Sequence, residues 1–218
     1  MKVDPLINIL TRTSNRPKGF KKNRESILRQ TYKNINHIVC TDDRENEKYL
    51  KDVGVDYMFL DRNYIIKNFV NPMPKSPGAN IFSPHNLYLN EMIRYVKDGW
   101  ILYVDDDDFL ANDTVIEEIV NNIVDEDTIM YWKMQYPNGN TLPDMSTFNN
   151  KPMLGRIGGS CHGVHSKWRR NIKWDAWKCS DYRVMESLHK TVPKSKWLDI
   201  VVIGKGNNGG LGLRKDIK

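Results

Sequence analysis

The sequence predicts an α/β fold in which a mostly parallel sheet is flanked by helices. Two observations predict it. Short apolar runs of strand length alternate with segments of helical apolar spacing, and aspartates follow the apolar runs where strands should end. Because ligands of such folds gather at the carboxyl ends of the strands, these aspartates are candidate site residues. The length of 218 residues fits one domain, which we expect to span residues 1–218.

The first half of the chain is predicted to form β, α, β units. Apolar runs predict strands at 6–10, 37–40, 57–60 and 100–104. Apolar residues at helical spacing predict helices at about 20–31, 46–53 and 84–97 between them. Residues 62–80 contain three prolines and a glycine and are predicted to form a long irregular loop.

In the second half of the chain, fewer helices and strands are predicted. Thr114 to Glu117 matches a capping box, which predicts a helix that ends near residue 124. Strands are predicted at 128–136, 155–165 and 197–203, and a helix at 181–190. The aspartate run at 105–108 should therefore lie in a loop between a strand and a helix.

That run is the strongest chemical signal in the sequence. In GWILYVDDDDFL, four consecutive carboxylates, Asp105 to Asp108, follow an apolar strand. Adjacent carboxylates raise one another's pKa unless a cation lies among them. Hard divalent cations prefer such oxygens, so the run suits Mg²⁺ or Mn²⁺ bound to a diphosphate. The alternative is an acidic surface turn near a helix N-terminus.

The composition limits the classes of partner that the protein is expected to bind. The chain has 33 basic and 27 acidic residues, a net charge of +6 and a pI near 9.1, which favours anionic partners such as nucleotides or phospholipid headgroups. We expect no nucleic acid, because the candidate site is acidic. No signal peptide and no apolar stretch of roughly 20 residues is evident, so we expect a cytoplasmic protein without a transmembrane segment. Peripheral membrane contact stays open.

Three segments occur in an order that resembles a known family. They are INILTRTSNRP, SILRQTYKNINHIVCTDD and GWILYVDDDDFL. Residues 6–125 thereby resemble the nucleotide-sugar-binding half of GT-A glycosyltransferases, in particular the inverting family 2. The resemblance implies the GT-A fold, with a nucleotide-sugar-binding half at about 1–110 and an acceptor-binding half at about 111–218.

The resemblance also implies residue roles. It implies Thr11, Arg12 and Arg16 near the nucleotide, Asp42 or Asp43 on the base, Asp106 at the ribose or behind the metal ligands, and Asp105 with Asp107 as a DxD element binding Mn²⁺ or Mg²⁺. By spacing, Asp106 and Asp108 fit DxD equally well. The position of the strand end favours the first pair, which makes Asp108 a turn residue.

In the acceptor half, the family order of a small-residue segment, a basic stretch and an acid that opens a helix is matched by residues 158–160, 167–170 and 180–183. The resemblance thus implies that Asp181 is the catalytic base. Ser180 stands where Glu is common in the family, and a structural acid at a helix start is the alternative. His162 and His165 receive no role. Residues 204–210 are predicted to form a flexible tail or lid that brings Lys205 to a phosphate.

Together these residues predict a metal-dependent inverting glycosyltransferase. It would move a sugar from a nucleotide-diphosphate sugar, expected to be a UDP-sugar, to a hydroxyl of a glycan, glycoprotein or lipid-linked acceptor. One carboxylate would take the proton of the attacking hydroxyl. The alternatives are a non-catalytic nucleotide-sugar or glycan-binding module, and a sugar-nucleotide nucleotidyltransferase. TRTSNRPKGF fits poorly the glycine-rich loop that the nucleotidyltransferase would need.

Overall fold

The computed structural model describes residues 4–144 and 151–207, and in these ranges nine strands join one sheet. The strands are Ile7–Arg12 (β1), Ile35–Thr41 (β2), Tyr57–Phe59 (β3), Trp100–Tyr103 (β4), Asp108–Leu110 (β5), Thr128–Gln135 (β6), Thr141–Leu142 (β7), His162–His165 (β8) and Lys194–Lys205 (β9). Their order is β3-β2-β1-β4-β8-β6-β9-β5, with β7 paired to β6.

The first four strands are parallel, as predicted. β1 lies between β2 and β4, and Ile7 pairs with both Ile35 and Trp100. Nearly every β1 residue is buried, which is typical of a strand covered on both faces. Parallel strands end at the same edge, so the residues that follow β1, β2 and β4 meet there. This observation confirms the predicted α/β class.

The other strands form a mixed half of the sheet. β8 is antiparallel to β4 and β6, whereas β9 is parallel to β6. β5 is antiparallel to β9, and this pairing sets Asp108 opposite Lys205. The end of β9 is thereby brought beside the aspartate run.

Six α-helices flank the sheet within the described ranges. They are Pro17–Leu28 (α1), Glu47–Asp52 (α2), Arg62–Phe69 (α3), Tyr88–Arg94 (α4), Val115–Asn121 (α5) and Ser180–Thr191 (α6). Pro17 suits the first turn of α1, where no backbone donor is required. Among the described residues, no helix has both the length and the apolar character needed to cross a membrane.

Four predictions about local structure are wrong. The predicted loop at 62–80 begins with α3, because Asp61 caps that helix by accepting the Tyr64 N–H at 2.8 Å. Thr114 does not form the capping box, since its hydroxyl contacts the side chains of Asn112 and Glu118 instead. Residues 155–161 form turns and a short 3-10 helix, so only 162–165 are a strand. The predicted loop after β4 contains β5, which β9 stabilises.

Gly99 fixes how β4 enters the sheet. Its φ is +87°, and a Cβ at this position would lie 2.3 Å from the carbonyl oxygen of Leu6. Only glycine combines this backbone conformation with so close an approach. β4 then continues as Trp100 to Tyr103, all buried, toward the aspartate run.

Candidate active site

A cavity of about 730 Å³ lies at the carboxyl ends of β1, β2 and β4. Five carboxylates line it, Asp42, Asp105, Asp106, Asp107 and Asp181. Five basic side chains also line it, Arg12, Arg16, Arg62, Lys178 and Lys205. The aspartate run and the predicted base therefore share one cavity.

Helix α1 holds the aspartate run in place. Arg16 Nη1 lies 2.8 Å from Asp106 Oδ1 and 2.9 Å from Asp107 Oδ2. Asn23 Nδ2 donates to the backbone oxygens of Asp105 and Asp108 at 3.0 and 3.1 Å. Gly19 lies between Arg16 and Asn23 in the chain, and a Cβ at this position would lie 2.9 Å from the backbone oxygen of Asp106. Arg16 directly precedes α1, and Gly19 and Asn23 are four residues apart on one face of it, so the start of α1 positions the whole run.

The Arg16 pair is a buried ion pair. Burial raises the pKa of Asp106 to about 6, and the nearby guanidinium only partly opposes this effect. Burial of Arg16 is outweighed by Asp106 and Asp107, which raise its pKa above the usual value. The Ser14 N–H donates to Asp106 Oδ2 at 3.2 Å. In this structure Arg16 and Asp106 thus orient the run.

The end of β9 contacts the run from the opposite side. Lys205 Nζ lies 2.6 Å from Asp108 Oδ2 and 3.8 Å from Asp105 Oδ2. Asn207 Nδ2 donates to Asp107 Oδ2 at 2.6 Å. A Cβ on Gly206 would lie 2.0 Å from the Asp107 oxygen, so only glycine fits between these contacts.

Asp108 is not the turn residue that was predicted. It begins β5, is fully buried and forms the ion pair with Lys205. Burial raises the pKa of Asp108, while the ammonium opposes that rise. For Lys205, burial is outweighed by Asp108 and Asp105, which raise its pKa. The predicted lid residue is therefore bound to the run, and residues 208–210 lie outside the described residues.

The run can provide ligands for a divalent cation. Asp105, Asp107 and Asp108 each offer one carboxylate oxygen, and these three oxygens lie within 4.8 Å of one another. Asp105 and Asp107 line the cavity, whereas Asp108 points to Lys205. The two residues with DxD spacing thus fit a hard cation such as Mn²⁺ or Mg²⁺.

The ends of β1 and β2 contribute a second charged cluster to the cavity. Arg12 Nη2 lies 3.0 Å from Asp42 Oδ1, and the Tyr88 hydroxyl donates to Asp42 Oδ2 at 2.7 Å. The Arg12 guanidinium also lies 4.9 Å from the centre of the Tyr88 ring. Arg12 and Asp42 line the cavity. Their contact with a nucleotide stays a prediction.

Two predicted donor-site residues do not line the cavity. Asp43 Oδ1 accepts the Glu45 N–H at 2.9 Å, so it caps a short 3-10 helix. Thr11 is buried, and its hydroxyl donates to the Val104 oxygen at 2.8 Å. Both side chains support the ends of strands next to the cavity. Of the two candidates Asp42 and Asp43, the structure brings Asp42 to the cavity wall.

Asp181 lies in the first turn of α6 and faces the cavity. The Tyr182 N–H donates to Asp181 Oδ1 at 2.8 Å. Burial raises the pKa of Asp181, and this hydrogen bond opposes the rise. A Cβ on Gly159 would lie 3.4 Å from Asp181 Cβ and 3.4 Å from Trp174 Cη2, so Trp174 and Asp181 flank the same glycine.

Several buried polar atoms at and around the Tyr103 ring have no hydrogen bond of good geometry to any described residue. They are the Tyr103 hydroxyl, Trp174 Nε1 and both ring nitrogens of His162. Tyr103 and Trp174 line the cavity, with ring centroids 5.1 Å apart. Buried polar groups are normally hydrogen-bonded, so the Tyr103 hydroxyl and Trp174 Nε1 are suited to a polar ligand in the cavity.

The two histidines do not line the cavity. The His162 ring is tilted against the Tyr103 ring, with centroids 5.4 Å apart, and burial lowers the pKa of His162 to about 4, which keeps the ring neutral. His165 lies at the other end of β8, beside Asp98 and Trp100.

Solved structures share this architecture. No protein-family model and no curated protein matches the chain. S. aureus TarS matches 92% of this chain and 36% of that chain, with a TM-score of 0.66 and 16% identity. The chain has the GT-A fold.

Two further GT-A structures were solved with ligands. S. aureus TarS 1–349 in complex with UDP-GlcNAc has a TM-score of 0.65 and 16% identity, and the match covers 94% of this chain and 59% of that chain. The mannosyltransferase PcManGT from Pyrobaculum calidifontis, in complex with GDP-Man and Mn²⁺, has a TM-score of 0.65 and 10% identity, with 94% and 58% covered. The chain spans between about a third and three fifths of these proteins.

Sequence reasoning missed several residues of the GT-A cavity. Tyr88, Tyr103 and Trp174 lie in or beside apolar segments, where an aromatic residue signals a core position. The ion pair between Lys205 and Asp108 depends on the β5–β9 pairing, which no local pattern predicts. Only the Asn–Gly pattern near the end of β9 indicated an unusual segment.

Proposed function

We propose that this chain is a metal-dependent inverting glycosyltransferase that uses a UDP-sugar. One observation carries the proposal: Asp105 and Asp107 line the same cavity as Asp181, although distant segments contribute them. Proteins with the same fold have been captured with UDP-GlcNAc, or with GDP-Man and Mn²⁺. The proposal includes membership of family 2, a donor half at 1–110 and an acceptor half at 111–218.

The donor would occupy the wall formed by the parallel strands. Arg12 and Asp42 would contact the nucleotide, while Asp105 and Asp107 would hold Mn²⁺ or Mg²⁺. When bound, such a cation neutralises charge that develops on the leaving diphosphate. Lys205 would add a second positive charge on the same side. Arg16 and Asp106 would keep the two ligands in position.

Asp181 would act on the acceptor. It would take the proton of the attacking hydroxyl as that oxygen bonds to the anomeric carbon and the bond from this carbon to the diphosphate oxygen breaks. The raised pKa makes the ionised carboxylate a better proton acceptor. The hydroxyl of Tyr103 and Nε1 of Trp174 would hydrogen-bond sugar hydroxyls.

A thermal-shift panel tests the proposal. UDP-sugars are added to the full chain with Mn²⁺, Mg²⁺ or a chelator. We expect one UDP-sugar to raise the melting temperature only with metal, because a ligand that binds the native state alone stabilises it. Equal stabilisation in the presence of chelator would contradict metal dependence. Metal-dependent donor binding without transfer or hydrolysis would favour the non-catalytic binding module.

A further inference from the structure

A second cavity of about 380 Å³ adjoins the first. Eleven residues line it, Asn68, Phe69, Asn71, Asn90, Ile93, Arg94, Arg169, Arg170, Ile172, Lys173 and Trp174. None of these described residues is acidic, and four are basic. Its apolar side chains include the buried Ile93, Ile172 and Trp174. Trp174 lines both cavities.

The charges of the two cavities differ. In the first cavity five carboxylates accompany the five basic side chains, and three of the latter, Arg12, Arg16 and Lys205, are paired with a carboxylate. In the second, Arg170 and Lys173 are exposed and have no hydrogen bond or ion pair through their side chains to any residue in the described ranges. A pocket with unpaired cations and no acid attracts an anion.

The other two cations of the second cavity each have a partner, but only Arg94 is paired with an acid. Arg94 pairs with Glu91 at 2.9 Å, and Arg169 Nη1 donates to the Ser166 backbone oxygen at 3.3 Å. Glu91 is therefore the nearby acid, and its charge is already balanced. The net charge of the pocket and its immediate pairs remains positive.

Trp174 connects the second cavity to the proposed base. Asn90 holds its backbone with two hydrogen bonds, at 2.8 and 2.9 Å. Its ring reaches Gly159, which Asp181 also flanks. A molecule that extends from the second cavity past Trp174 would thus enter the first cavity beside Gly159, which Asp181 also flanks.

We propose that the second cavity binds a phosphate group carried by the acceptor. This inference rests on the proposed function, in which the first cavity takes the donor. Guanidinium groups match phosphate oxygens in pairs, and the ammonium of Lys173 adds a point charge. The apolar floor accepts the carbon chain next to the phosphate. The acceptor is then a phosphate ester, either soluble or part of a lipid headgroup.

The test uses the charge-reversed double variant Arg170→Glu with Lys173→Glu. Both residues are exposed, so the variant should fold. The control is Lys33→Glu with Lys190→Glu, which changes the net charge equally and lines neither cavity. The probes are n-butyl phosphate, n-butanol, and vesicles of phosphatidylcholine with or without phosphatidylglycerol. Chemical shifts of the Trp174 indole N–H in the full chain report binding of the soluble probes, and co-sedimentation reports binding to vesicles.

We expect n-butyl phosphate to bind saturably and n-butanol not to bind. The double variant should lose at least about fivefold in affinity, and the control should stay within about twofold. Binding to phosphatidylglycerol vesicles alone, lost in the double variant only, would support the phosphate site and identify a lipid source. Equal losses in variant and control, or no binding of any phosphate probe, would overturn the inference. Duplex DNA binding that only the double variant loses would overturn the assignment to a glycosyl acceptor.

Thermal shift with UDP and Mn²⁺ separates this inference from the proposed function. The double variant should keep the wild-type shift, because Arg170 and Lys173 do not line the first cavity. If the wild type shows no such shift but binds n-butyl phosphate through these residues, the proposed donor site fails while the anion site stands.

Discussion

The two halves of the sheet contribute to the cavity in different ways. In the parallel half, carboxylates lie within two residues of a strand end. Asp42 is the first residue after β2, and Asp105 is the second residue after β4. In the mixed half, single residues reach the same place through long-range pairing, as Lys205 does through β9. The parallel half therefore reveals its site in local sequence. The mixed half reveals the pairing of Lys205 with Asp108 only when folded.

Replacing Asp181, which α6 brings to the cavity, should have the largest effect on catalysis. Asp181→Asn should lower kcat by about 1000-fold, because a positioned general base contributes about 10²–10⁴-fold. Donor affinity should stay within about twofold of wild type. Steady-state kinetics and a UDP-sugar titration measure the two quantities. Glu186→Gln on the same helix is the control and should keep wild-type kcat, whereas a similar loss there would point to helix damage.

Replacing Asp105 or Asp107, which follow β4 in the parallel half, should reduce metal binding. Asp107→Asn or Asp105→Asn should weaken Mn²⁺ binding and lower kcat/KM by on the order of 100-fold, since each removes one charged ligand. Metal titrations of activity and of Mn²⁺ binding check this. Asp113→Asn, an exposed acid paired with Arg29, serves as the control. Unchanged Mn²⁺ affinity in both variants would refute the DxD assignment.

The ion pair between Lys205 and Asp108 should contribute to stability. Lys205→Met leaves Asp108 buried without its ammonium, which should cost about 3 kcal/mol of unfolding free energy. The double variant with Asp108→Asn should recover part of this loss. Urea denaturation gives both values. A loss below about 1 kcal/mol in the single variant would show that β9 is not held by this pair.

The rate should also depend on pH through Asp181. Because burial raises its pKa, the carboxyl stays protonated to a higher pH than an ordinary aspartate, and only the ionised form accepts a proton. The kcat should therefore rise with pH through this raised pKa and fall as pH drops below it. Asp181→Asn should remove this limb from the pH–rate profile, and Glu186→Gln should keep it. A limb that survives in Asp181→Asn belongs to another group.

The smallest expected effect is a difference in stability between two variants at helix N-termini. Asp61→Ala should cost about 1 kcal/mol, because Asp61 caps α3. Thr114→Ala should cost clearly less, since Thr114 makes no cap hydrogen bond to α5. Thermal unfolding of both variants measures the difference. Equal losses of stability in the two variants would indicate that Thr114 does cap α5, as the sequence predicted.

The sequence predicted the features that depend on neighbouring residues. The strands of the parallel half, the position of Asp105 and Asp107 at a strand end, and Asp181 at a helix start follow from local apolar spacing. The ion pair of Asp108 with Lys205 and the role of Arg16 as a clamp could not be predicted, because each joins residues distant in the chain. The cap at Asp61 was locally visible, but the prolines that follow obscured α3.

Anomalous diffraction from crystals grown with Mn²⁺ and UDP tests the central claim most directly. The account predicts a manganese peak bonded to carboxylate oxygens of Asp105 and Asp107, with the uracil side of UDP toward Arg12 and Asp42. A well-ordered UDP without manganese at these carboxylates, or manganese bound elsewhere, would contradict it.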